Sequence, residues 1–188
     1  MDKPVNPMSR RSQCGASLLE VLITILIMSF GLLGIAGLTV SSLQGAKLAQ
    51  FQSTALQLVN DYSERMRGNI TGAKDGAYNM TDAYTGATDS VEVPNCATAG
   101  ACTAAELAGI DQAEWTNELR RRLPGGGAYV ARDGLAVDIW VMLLEPGLDF
   151  DGSSTLSVAG TGGSQCPAAA LAGYTSDAPI CMYYRVSI

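Results

Sequence analysis

Four cysteines, Cys96, Cys102, Cys166 and Cys181, carry the most specific chemistry in the C-terminal two thirds of this 188-residue chain. An even number in an exported segment fits two disulfides, and proximity along the chain favours Cys96–Cys102 and Cys166–Cys181 among three connectivities. A zinc site would call for spacing such as C-x-x-C and usually histidine, and the chain has no His, so no metal is expected. Catalysis finds equally little support. Without histidine, a G-x-S-x-G elbow or a carboxylate pair in context, the chain is expected to be no enzyme and to need no cofactor. Asp149-Phe150-Asp151-Gly152-Ser153 alternates oxygen ligands as a calcium loop does but lacks the later bidentate carboxylate, so it reads as a turn. Gly160-Thr161-Gly162-Gly163-Ser164 lacks the lysine of a phosphate loop and reads as a flexible connection.

The remaining group of chemical interest is Glu20, a carboxylate at the edge of a long apolar run. From Val21 to Ala46 no residue is charged. At about 1.5 Å per residue, some 20 apolar residues cover a hydrocarbon layer of roughly 30 Å, so this stretch can span a membrane. Lys3, Arg10 and Arg11 precede it, which keeps the start of the chain cytoplasmic and places everything after Lys47 outside. A cleaved secretory signal fits less well: the run exceeds the usual h-region, lacks a small-x-small break and carries Glu20. Lipidation is excluded because Cys14 precedes the run. The net charge of -6, with no basic run beyond Arg120-Arg121-Arg122, argues against nucleic acid.

A carboxylate in that position costs several kcal/mol unless it is paired or stays near the interface. The stretch Arg10-Arg11-Ser12-Gln13-Cys14-Gly15-Ala16-Ser17-Leu18-Leu19-Glu20-Val21-Leu22 resembles the class III signal of type IV pilins and pseudopilins. The resemblance implies a prepilin peptidase that cuts between Gly15 and Ala16 and removes Cys14 with the leader. It implies N-methylation at Ala16, where most pilins have phenylalanine. It also implies that Glu20 pairs with the N-terminal amine of a neighbouring subunit, neutralising a charge that would be costly alone in an apolar core.

The helical pattern continues past Lys47, with Leu48, Phe51, Ala55, Leu58, Val59, Tyr62 and Met66 on one face and Asp61 spaced for an i,i+4 pair with Arg65. Gly68 is expected to end the helix, giving roughly 50 residues and about 75 Å. Gly31, Gly34 and Gly37 permit close helix approach and lower local helicity by about 1 kcal/mol each. By family resemblance this is a segment that loosens when the subunit enters a filament.

The stretch from Leu56 to Asn69, ending Glu64-Arg65-Met66-Arg67-Gly68-Asn69, resembles the helix end of PilV-type minor pilins, and Tyr78, Trp115 and Leu123-Pro124-Gly125 follow in the same order. The implied fold is α+β and pilin-like, a long N-terminal helix packed on a small head with an antiparallel sheet. Its parts are a leader (1–15), a transmembrane or filament-core half-helix (16–46), an amphipathic half-helix (47–68) and a periplasmic globular head (69–188). Within the head, Thr103 with Glu106 and Asp111 with Glu114 look like caps of a short helix and of a second helix from Asp111 to Arg122. Tyr129–Arg132 and Leu135–Leu144 read as strands around an Asp133-Gly134 turn, Cys181–Ile188 as a closing strand, and 69–94 and 147–179 as loops.

The resemblance implies a single-pass inner-membrane protein that passes into the extracellular pilus. It would help prime assembly and support twitching motility and adhesion. The implied partners are other minor pilins, the major pilin, the prepilin peptidase, the inner-membrane assembly platform and a tip adhesin. The alternatives are a minor pseudopilin of type II secretion and an uncleaved, membrane-anchored periplasmic binding module.

Overall fold

The computed structural model describes residues 17–98, 100–144, 166–175 and 179–188. Its elements are α1 (Leu18–Gly68), α2 (Ile70–Lys74), α3 (Ala104–Arg122), β1 (Gly127–Asp133), β2 (Ala136–Leu143) and β3 (Ile180–Ser187). Contacts divide the chain into two compact units, one ending at Leu43 and the other beginning at Gln44. The fold is α+β and pilin-like, a long N-terminal helix with a small antiparallel sheet.

The sheet has the order β1-β2-β3, antiparallel throughout. Asp133 pairs with Ala136, so the first hairpin turns on Gly134 and Leu135, one residue later than the sequence predicts. Gly134 has φ 64°, the positive value that the first position of such a two-residue turn requires. In β2, Val137, Ile139, Val141 and Leu143 alternate inward as the period of a strand dictates. Ala55, Leu58, Val59, Tyr62 and Met66 of α1 bury against them, together with Ala108, Trp115 and Leu119 of α3, Val130 and Met182. This is the apolar face predicted from the three- and four-residue spacing. A smaller cluster of Tyr84, Met142 and Ala170 covers part of the opposite sheet face.

Two expectations are corrected. The segment 104–122 is one helix rather than two, because its inward stripe of Ala108, Trp115 and Leu119 runs through Asp111 without a break. Only the first cap is real: Thr103 accepts from the Glu106 N–H at 3.2 Å while the Glu106 carboxylate accepts from the Thr103 N–H at 2.8 Å. α1 itself ends at Gly68, as the sequence predicts, though without a positive φ there. Asn69 makes the break: its φ of -125° and ψ of 61° leave the helical region, and its side-chain oxygen accepts from the Gly72 N–H to start α2. The segment predicted as a loop from Asn69 therefore opens with a short helix.

Candidate functional site

In the N-terminal unit the site is the start of α1. Ser17 precedes the helix, and its hydroxyl accepts from the Leu19 N–H at 3.3 Å while its carbonyl accepts from the N–H groups of Glu20 and Val21. Glu20 thus sits in the first turn, where free N–H groups and the helix dipole favour an anion. Ser17 and Glu20 have the S-x-x-E spacing of a cap, a signal present in the sequence beside the one used above. Gly15 and Ala16, the predicted cleavage and methylation residues, lie outside the described residues, as do Cys14 and the loops at 149–153 and 160–164.

From Leu18 to Leu43 every described side chain is exposed, including fifteen or more large apolar ones such as Ile25, Phe30, Leu33 and Leu38. A helix apolar on all sides is at rest only in lipid or among other helices. Between Val21 and Val40 the hydroxyls need no outside partner: Thr24 donates to the Val21 carbonyl, Ser29 to Ile25 and Thr39 to Ala36, at 2.8, 2.8 and 2.7 Å. Around Gly31, Gly34 and Gly37 a side chain would meet nothing within 4 Å, so these glycines are open on the helix surface.

In the C-terminal unit the end of α1 is clamped to α3. Arg65 donates to Asp61 on its own helix at 3.1 Å, and across to Asp111 at 3.0 Å and Glu114 at 2.7 Å. Burial works against the guanidinium charge, but Glu114, Asp61 and Asp111 outweigh it and raise its pKa. Tyr78 donates to the other Asp111 oxygen at 2.5 Å, and burial together with that carboxylate pushes its phenol up to about 12. Tyr62 donates to the Tyr78 carbonyl, and burial raises its phenol pKa further. The other residues of this helix end are also placed. Met66 is buried, Arg67 donates to the Ser187 carbonyl at the end of β3, and the Asn69 amide donates to the Ala104 carbonyl at 2.7 Å.

The sequence reading missed Asp111 as a partner, taking it and Glu114 for a cap. The signal was Arg65 itself, a cation on the border of a buried face with one local carboxylate. Of the three consecutive arginines, Arg120 donates to the Asp89 carbonyl, Arg121 pairs with Glu118 and Arg122 donates to Gln57. All three therefore have partners within the chain. The disulfides join Cys96 to Cys102 and Cys166 to Cys181, as proximity predicts, with Cα separations of 5.1 and 5.3 Å. The first closes a short loop against the α3 cap, where Glu106 also accepts from the Ala97 N–H; its hydrogen bonds from Thr103 and Ala97 hold its carboxyl below the usual range.

Two family models match the chain. The prokaryotic N-terminal methylation motif matches residues 10–36, and the family described as Type IV pilin Tt1218 matches residues 37–113. No curated protein and no solved structure gives a significant match. The two family matches abut, and together they take in Glu20, the apolar half of α1, Arg65 with its partners Asp61 and Asp111, and the first disulfide. With a methylation motif that runs into an all-round apolar helix, and a pilin match continuing through its amphipathic half into α3, the chain belongs to the type IV pilins, structural subunits that are anchored by such a helix and built into the pilus.

Proposed function

We propose that this chain is a minor pilin of the PilV type, which joins other minor pilins to prime pilus assembly and is itself incorporated. Prepilin peptidase cuts between Gly15 and Ala16, leaving 16–46 as the membrane and filament-core half of the helix, 47–68 as its amphipathic half and 69–188 as the head. Before assembly the chain crosses the inner membrane once with its head in the periplasm; afterwards it is extracellular. Its partners are the major and minor pilins, the assembly platform and an adhesin at the tip, and through them it supports twitching motility and adhesion.

The observation that carries this reading is the start of α1, a Ser17 cap with Glu20 in the first turn and only exposed apolar surface behind it. Cleavage after Gly15 would leave an ammonium on Ala16, one residue before the cap and at the positive end of the helix dipole, where a cation is unfavourable. Glu20 of a neighbouring subunit supplies the opposite charge, and in an apolar surrounding such a pair fixes the axial register of two helices. Gly31, Gly34 and Gly37 form the segment where the helix can open during that transfer.

N-terminal sequencing of the chain from membranes and from sheared pili tests this. A start at Ala16 in both fractions, at a small fraction of the major subunit in pili, is expected. A start at Met1 would remove the basis for the assignment.

A further inference from the structure

The edge of β1 is paired at one point and then left open. Met80 and Val130 exchange two main-chain bonds, Met80 N–H to Val130 at 2.9 Å and Val130 N–H to Met80 at 2.8 Å. Val130 therefore turns both its polar groups away from β2, and so does every second residue of β1. Arg132 obeys this alternation, its N–H donating to the Asn79 side chain at 3.1 Å on the same outer edge. Ala128 must obey it too, yet its outward N–H and C=O have no partner among the described residues.

The reason is the course of the chain after Met80. In a continued ladder Asp82 would face Ala128. Instead the Tyr84 N–H is drawn to the Ala170 carbonyl at 2.7 Å, and the Tyr84 hydroxyl donates to the Gly125 carbonyl. The segment thus peels away from β1 and leaves a cleft of about 310 Å³, lined by Met80, Asp82, Tyr84, Thr116, Arg120 and Ala128 among others. That volume is at the small end of ligand sites, and one wall is a main-chain donor and acceptor spaced for an antiparallel bridge.

We infer that this cleft receives a short extended segment of a neighbouring pilus subunit, one residue of which bridges to Ala128 and takes the place Asp82 vacates. The chemistry called for is a peptide main chain, since the two unpaired groups are complementary to one residue of an extended strand. That the donor is a pilus subunit rests on the pilin reading above.

The test places a photoreactive benzoylphenylalanine at Thr85, exposed at the cleft rim, in the full chain, and irradiates assembled pili. A crosslink to a second pilin is expected. Ala128→Pro deletes only the outward N–H, which edge strands tolerate, and should lower the crosslink yield roughly five- to tenfold, the scale of one lost main-chain bond with its partner left unpaired. Thr116→Tyr, which fills the cleft from α3 without touching the strand, should do the same, with incorporation and melting temperature measured alongside. An absent crosslink in pili that contain the chain, or a yield unchanged in both variants, overturns this inference alone. Absence of the chain from pili overturns the pilin reading and the inference with it. In the isolated chain in detergent, the Ala128 amide should exchange at an open-edge rate; protection by more than roughly 100-fold would show the edge to be filled already and overturn the proposal.

Discussion

Trp115 of α3 lies stacked on Tyr62 of α1, ring centroids 4.1 Å apart and planes 21° from parallel, while its indole N–H donates to the Leu58 carbonyl at 2.8 Å. One side chain thus joins the two helices by packing and by a directional bond. Trp115→Ala should cost about 3–5 kcal/mol, the range for emptying a buried aromatic site. Trp115→Phe keeps much of the stacking and should cost about 1–2 kcal/mol, chiefly the lost bond. Melting of the full chain in detergent, followed by near-UV circular dichroism, separates the two.

Alkaline pH should loosen the same region. The Tyr78 phenol ionises at about 12 in the folded chain, against about 10 unfolded, so between those values the folded state holds the proton more tightly. Stability is therefore full below pH 10 and falls as pH rises toward 12. Tyr62 and Tyr84, also raised by burial, act in the same direction. Tyr78→Phe should flatten the decline in melting temperature over this range; an unchanged slope would remove Tyr78 from the account.

Three glycines should respond differently to alanine. At Gly68 a Cβ meets nothing within 4 Å in a helical conformation, so Gly68→Ala should stabilise by about 0.5–1 kcal/mol. At Gly127 a Cβ would sit 2.7 Å from the Tyr84 ring, and at Gly126 it would overlap the Leu119 carbonyl. Both substitutions should destabilise, Gly126→Ala more because backbone must move, by about 1–3 kcal/mol or above. Urea titrations of the three variants check the signs.

Removing the disulfides should reveal their loop lengths. By loop-closure entropy, the 6-residue separation of Cys96–Cys102 is worth about 2 kcal/mol and the 15-residue separation of Cys166–Cys181 about 3 kcal/mol. Paired serine variants, compared by denaturant midpoint, should follow that order.

On the proposed reading, in which cleavage falls after Gly15 and Glu20 serves pairing, Glu20→Ala should block incorporation into pili while leaving leader removal intact. Immunoblotting of sheared pili against membranes reads both. Normal incorporation of the variant would refute the pairing role.

The long helix, its apolar face and the disulfide pairing were all legible before any coordinates, because each rests on a local rule: period, composition or proximity. The failures have a common cause. Asp111 and Glu114 have the spacing of a cap, but their carboxylates are used by Arg65, forty-six and forty-nine residues earlier in the chain. α1 ends at Gly68 as expected, but the loop expected from Asn69 opens as a short helix, whose cap Asn69 also reaches the distant Ala104 carbonyl. Sequence spacing reports what a side chain can do for its own turn of helix; which of two partners it takes is decided by the fold. The Ser17 cap beneath Glu20 shows the opposite case, a local signal overlooked beside a more conspicuous one.

The hydroxyls of Thr24, Ser29 and Thr39 each close on a carbonyl three or four residues back. Between Val21 and Val40, therefore, no side chain asks its surroundings for a hydrogen bond. Such a rod is chemically indifferent to what lies beside it, acyl chains or the side chains of other helices, and its exit from a bilayer leaves no polar group stranded midway. On the proposed pairing, the one carboxylate at its tip then discriminates between the two environments, because lipid tails offer it no cation and the amine of a neighbouring subunit would.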